Sequence, residues 1–248
     1  MRGDAEGFLP WTRTALRDRP LPKVLDTTKI PFEDIAGMTP DIILTPYSGI
    51  TQDEYNTLAQ IAPTVAYPKT AWGTSWQDDQ TITGQALGFS AESKQLVSDT
   101  EASIASQTDQ FPQLKGKTFV YGNMGDGSLF NLYTTTDSRS LFLAAIGLVP
   151  SDYTKSLDAK ADAASYFVPV SFELAGEIEG DIVVFWFGSQ DELDTALALP
   201  GDSGGQAWQL CTDRRQGAGD GQFCLLSTLD PYMLDEFVPT LAAAAEKV

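Results

Sequence analysis

The chain has 248 residues, 42% hydrophobic and 20% charged, enough for one large domain or two modest ones with cores of their own. Its 34 acidic against 16 basic residues leave a formal charge of −18, a field that repels nucleic acid and anionic membrane surfaces. Histidine is absent, which excludes Ser-His-Asp and Cys-His catalysis and any His-ligated zinc or haem site.

The opening residues, "MRGDAEGFLPWTRTALRDRP", have neither the apolar core nor the small-residue cleavage site of a signal peptide. Either the protein is cytosolic or the chain begins after its true start. Pro31 to Met38 reads as a short helix with proline at its first position and acids in its first turn. Asp41 to Pro46 is an apolar run without alternation, which predicts a buried strand. Thr51-x-x-Glu54 is a capping box that opens a helix through Ile61, and Val65 to Tyr67 follows as a second strand. Thr74-x-x-Gln77 is placed to cap a helix reaching Leu87, with Gly88 as its stop. From Ser90, the residues Leu96, Val97, Thr100, Ile104 and Phe111 recur at helical spacing, predicting one buried stripe on a long, stiff connector.

Beyond Pro112 the pattern begins again. A strand through Phe119-Val120-Tyr121 ends in "GNMGDGS", which has the glycines of a phosphate cradle but neither the Gly-Lys-Ser/Thr ending nor the GxGxxG spacing. Asp137 to Ile146 reads as a helix carrying Arg139 near its start, and Phe167 to Val170 as a strand. Ser171 caps a helix leading into the strand after Asp181, Ser189-x-x-Glu192 is another capping box, and Asp230 to Lys247 closes the chain as helix interrupted near Pro239. Residues 201–205 spell "GDSGG", as around the nucleophile of trypsin-like proteases; without a histidine to act as base it is a coincidence of turn residues. Cys211 and Cys224 flank a polar, glycine-rich loop, and they read either as two buried thiols or as a hairpin disulfide of an oxidising compartment. Apolar strands alternating with helices predict α/β with parallel sheets.

Two stretches nearly repeat each other. Phe32-Glu33 lies nine and eight residues before Asp41, as Phe172-Glu173 does before Asp181. Each aspartate is followed by an apolar run, a small-residue turn and Gln-Asp-Glu, at residues 52–54 and 190–192. So long a period is not a solenoid, whose units run to roughly 20–50 residues. It predicts one helix–strand–helix unit in each of two similar lobes.

The order of elements, with "PFEDIAGMTPDIILTPYSG", "IAPTVAY", "WGTSWQDDQTITGQALG" and "FVPVSFELAGEIEGDIVVFWF", resembles the iron–siderophore branch of the substrate-binding proteins of ABC importers. The resemblance covers nearly all of Phe8 to Val248. It implies two Rossmann-like α/β lobes joined by one long helix, with the ligand cleft between them: residues 1–88 as the first lobe, 89–112 as the connecting helix and 113–248 as the second lobe. In the family a further strand–helix–strand segment precedes the matched region. The first lobe is therefore expected to be incomplete in this chain, and the signal sequence and any lipid-anchoring cysteine to lie outside it. An extracytoplasmic home follows, as a periplasmic protein or an anchored lipoprotein, and with it a Cys211–Cys224 disulfide.

The implied partners are an ABC permease and a ferric siderophore; a monomer is expected, with no metal ligands or cofactor of its own, because the iron arrives wrapped in a chelator. Loops outside the carboxyl ends of the strands are where ligands bind in open α/β sheets. Those loops carry Tyr47, Trp72, Trp76, Tyr121 and Trp186. Core packing is the commoner fate of such aromatics. Trp72, in a loop between Ala71 and Gly73, is the one expected to face ligand, and Trp186 could equally be core. Arg139 matches a family position that often contacts the siderophore; the plain alternative is a surface arginine paired with a nearby acid. Few basic residues suit a near-neutral hydroxamate or mixed-ligand complex better than a triply charged tris-catecholate. Glu33 and Glu173 match the positions where one glutamate of each lobe meets arginines of the permease, although either would also serve its helix dipole. The rival readings are an α/β hydrolase or transferase, a purely structural surface domain, and a binding protein for haem or cobalamin.

Overall fold

Capped helices and short apolar strands assemble into two α/β lobes bridged by a long helix in the computed structural model, which describes residues 8, 10–25, 29–124, 129–162, 165–186 and 238–246. The first lobe holds α1 (Pro10–Leu16), α2 (Phe32–Gly37), β1 (Ile43–Thr45), α3 (Gln52–Ile61) and β2 (Thr64–Ala66). β1 and β2 pair in parallel from Ile43↔Thr64 to Thr45↔Ala66. α3 begins in the predicted capping box: the Thr51 hydroxyl accepts the Glu54 N–H, and the Glu54 carboxylate accepts the Thr51 N–H at 2.7 Å. β1 is half-buried rather than buried. A parallel strand disappears from solvent only with strands on both edges and layers on both faces, and among the described residues this sheet has two strands.

α4 (Trp76–Ala86) and α5 (Ser90–Thr108) form an antiparallel pair through a turn at Gly88, whose φ of 81° suits glycine. Ser75, not Thr74, caps α4 by accepting the Asp78 N–H, because the Thr74 hydroxyl is committed to the Pro46 carbonyl at 2.6 Å. The buried line of α5 runs through Ser93 and Ile104, while Leu96 is 50% exposed. At 3.6 residues per turn Leu96 sits about 60° round from the line of Ser93, Val97, Thr100 and Ile104, which is enough to face it outward.

The second lobe is built on β3 (Thr118–Met124), with β4 (Leu129–Tyr133), α6 (Ser138–Ala145), β5 (Val149–Pro150), α7 (Asp152–Asp158), β6 (Phe167–Ser171), β7 (Ile182–Trp186) and a closing helix α8 (Val238–Ala245). β7 lies parallel along one edge of β3, from Phe119↔Ile182 to Asn123↔Trp186. The other edge is shared by β5 at Thr118↔Val149 and β4 at Gly122↔Leu132, and β6 lies beyond β4. β4 runs antiparallel to both its neighbours, which corrects the expectation of purely parallel sheets. The physical reason is the connection: residues 125–128 are too few for the crossover of a dozen or more residues that a parallel partner needs.

Alternation along β3 splits the core. Phe119 and Tyr121 join Leu143, Ile146 and Leu241 on one face, while Val120 joins Phe130, Leu132, Leu157 and Val183 on the other. Asp181 pins the start of β7 to β3, its carboxylate accepting both the N–H and the hydroxyl of Thr118 at 2.7 Å. Ser171 caps the next segment as expected, although Phe172–Glu177 is a 3-10 rather than an α-helix. Pro239 sits in the first turn of α8, where a missing N–H costs nothing. The capping box at Ser189, the "GDSGG" stretch and the Cys211 and Cys224 pair lie outside the described residues.

Candidate functional site

Two loops at the carboxyl ends of β1 and β2 form a single platform. The Thr74 hydroxyl bonds the Pro46 carbonyl, and the Trp72 N–H bonds the Ser48 carbonyl at 2.9 Å. The Trp72 indole packs on Gly49 so closely that a Cβ there would overlap its nitrogen. Trp72 holds φ at 58°, a left-handed conformation costly for a residue with a Cβ. Tyr47 meets it edge to face, with ring centroids 5.4 Å apart. Beside this platform a pocket of about 330 Å³ is lined by Ile50, Thr51, Gln52, Tyr55, Ala66 and Tyr67. The Tyr67 hydroxyl donates to the Ile50 carbonyl at 3.0 Å, tying the same loop to β2.

The second lobe answers with a cation. Residues 134–137 are fixed at the end of β4: Thr134 gives its N–H and hydroxyl to the Tyr166 carbonyl, and Thr135 gives both of its donors to Asp158. Asp137 is thereby set as the N-cap of α6, fully buried. One of its carboxylate oxygens accepts the Arg139 N–H and Nε–H, and the other accepts Nη2 at 2.8 Å. The guanidinium also donates from Nη1 to the Tyr133 hydroxyl at 2.8 Å, and its Cζ lies 3.5 Å from the Tyr133 ring centroid. Tyr166 is 5.5 Å away on the same measure. Burial works against the charged guanidinium, but the Asp137 hydrogen bonds and charge outweigh it and hold the Arg139 pKa above its ordinary value.

The lobes meet at this point. The Tyr47 and Ser138 hydroxyls lie 3.1 Å apart, a hydrogen bond between residues 91 positions apart in the chain. Desolvation raises the Tyr47 pKa; the Ser138 hydrogen bond and the Arg139 charge oppose that, and the Asp137 charge adds to it. The structure therefore brings Tyr47, Trp72 and Arg139 into one cluster. Arg139 is paired with an acid, as its plainer reading expected, but it is largely buried rather than on the surface.

Other expected site residues lie elsewhere. Tyr121 is fully buried in the core, edge to face with Tyr133, because β3 continues beyond it to Met124. Trp76 is half-buried and packs against the second lobe's core. The backbone of Trp186 pairs with Asn123, and its side chain lies outside the described residues. Glu33 and Glu173 are both exposed in the first turns of α2 and the 3-10 helix. Neither carboxylate has a partner among the described residues. Sequence reasoning missed Tyr133, Asp137 as ion-pair partner, Ser138 and Tyr166. The Asp-x-Arg spacing at a helix start was the available signal for Asp137. Among the described residues no three metal-ligating side chains cluster, and no helix is long and apolar enough to cross a membrane.

Comparison with known proteins bears on the fold. PiaA of Streptococcus pneumoniae TIGR4, an iron uptake ABC transporter substrate-binding protein solved in complex with ferrichrome, is 28% identical. It superposes with a TM-score of 0.78 over 98% of this chain and 83% of that one. A periplasmic solute binding protein of Mycobacterium smegmatis has 24% identity and a TM-score of 0.73, covering 99% of this chain and 84% of that one. FhuD2 of Staphylococcus aureus with bound ferrioxamine B shares the fold at 20% identity and a TM-score of 0.59, over 92% of this chain and 83% of that one. No curated protein sequence matches the chain. The sequence profile described as periplasmic binding protein matches residues 7–197, most of the chain. With two α/β lobes, a connecting helix and a polar-aromatic cluster where the lobes meet, the chain belongs to the periplasmic binding protein family.

Proposed function

We propose that the protein captures a ferric siderophore in the cleft between its lobes and delivers it to an ABC permease for iron uptake, on the extracytoplasmic side of the membrane. The observation that carries this is the inter-lobe cluster. Loops of the first lobe hold Tyr47 and Trp72 against α6 of the second, where Arg139 lies on Tyr133. Aromatic faces with a few fixed polar donors are what a bulky, partly apolar chelate needs. The 28% identity to PiaA, solved with ferrichrome, supports the same class of ligand.

Binding rather than catalysis is the proposed role. Asp137, the buried carboxylate of the cluster, is spent on the α6 cap and on Arg139, which leaves no basic oxygen poised for proton transfer. Glu33 and Glu173, exposed at equivalent places in the repeat, are proposed as the contacts to the permease, one on each lobe, and the protein acts as a monomer held at the envelope.

Intrinsic tryptophan fluorescence tests the reading. Titration with ferrichrome and with ferric hydroxamates should quench it saturably, and Trp72→Phe should remove most of the quenching. A folded protein whose emission is unmoved by hydroxamate, catecholate and mixed complexes would refute siderophore capture.

A further inference from the structure

Among the described residues the Arg139 guanidinium is the cation beside the point where the lobes meet, yet its charge is balanced inside the protein by Asp137. Asp137 is 0% exposed and grips it through both carboxylate oxygens, at 2.8 Å to Nε and 2.8 Å to Nη2. The Tyr47 hydroxyl, 3.1 Å from that of Ser138, lies where Asp137 and Arg139 act on it with opposite sign. Three of the guanidinium's five N–H groups are committed, to Asp137 and to Tyr133. The other two have no acceptor among the described residues. Among the described residues the Asp137–Arg139 pair thus offers hydrogen-bond donors without a net positive charge.

We propose that Asp137 is a specificity-determining residue: by cancelling Arg139 it makes the cleft select ferric complexes of zero net charge with oxygen acceptors on their surface, and reject polyanionic ones. This rests on the siderophore reading above. A triply anionic complex would surrender its hydration to a site with no net charge to offset the loss, and would meet the Asp137 carboxylate behind the guanidinium. A neutral complex loses little hydration and still finds the two free donors.

Asp137→Asn and Asp137→Ser remove the charge while keeping an oxygen to cap α6. Wild type and both variants would be titrated with a neutral ferric trihydroxamate and with a triply anionic ferric tris-catecholate, folding being checked by circular dichroism. Wild type should prefer the neutral complex, and in the variants the ratio of affinities should move toward the anion by at least about tenfold, less so at high salt. A ratio unmoved in both folded variants overturns the proposal. So does wild type binding both complexes equally well, a result that needs no variant. Wild type binding neither complex overturns siderophore capture itself and this inference with it, so the wild-type arm alone distinguishes the two failures.

Discussion

Trp72 organises the loop platform at the ends of β1 and β2. Its left-handed backbone, at φ 58°, costs of order 1 kcal/mol or more, and the Ser48 carbonyl and the bare Cα of Gly49 hold it there. Gly49→Ala should push the indole off the loop without unfolding the lobe. The expected result is a shifted tryptophan emission and a ligand affinity reduced about tenfold, the scale of one lost aromatic contact. Unchanged emission and affinity would mean that the indole has room the packing denies it. Trp72 and Arg139 stood out in the sequence because one is a tryptophan between small loop residues and the other is one of few basic residues away from the termini. Tyr133 and Tyr166 were not. Each sits at a strand end and looks like any core aromatic until α6 lays Arg139 across them.

At the level of elements, α4 and α5 close on each other through a small residue. A Cβ on Gly84 would run into the Ser93 side chain, whose hydroxyl donates to the Gln80 carbonyl at 2.7 Å. Gly84→Ala should therefore destabilise the pair by about 1–3 kcal/mol despite alanine's better helix propensity, read as a lower midpoint in urea. The repeat, too, differs between its copies. Asp181 clasps Thr118, while the equivalent Asp41 is exposed and without a partner among the described residues. The Thr118 N–H, then its hydroxyl, hold the Asp181 pKa below its ordinary value of 3.8. A depressed carboxylate contributes stability above its unfolded pKa and loses it as pH falls through the folded one. Wild type should thus lose more melting temperature between pH 7 and pH 3 than Asp181→Asn does. Equal losses in the two proteins would contradict the clasp.

For the whole molecule, a charge of −18 has to be reconciled with docking to a partner. Of the acids matched between the two copies, Glu33 and Glu173 are exposed with no partner among the described residues, so they suit a permease with two matching subunits. Changing both to alanine should leave ligand affinity within about twofold and abolish uptake in cells, since rim charges act on association with the partner. Uptake at the wild-type rate would leave these residues serving only their helix dipoles.

The sequence alone determined the α/β class, the capping box at Thr51, the Asp137 start of α6 and the connecting helix, because each is written in residues a few positions apart. Tertiary structure alone decided which aromatics are buried in the core and which lie where the lobes meet. Tyr121 and Tyr47 are both tyrosines on or just after a strand, yet β3 is flanked on both edges and buries one, while β1 ends at the lobe boundary and presents the other to Ser138. It also decided the direction of β4, through a connection too short to cross over, and the charge of the site, through Asp137 reaching two residues along its own helix to grip Arg139. Local patterns record how a segment folds; which segments meet, and what their charges sum to, depends on contacts between residues far apart in the chain.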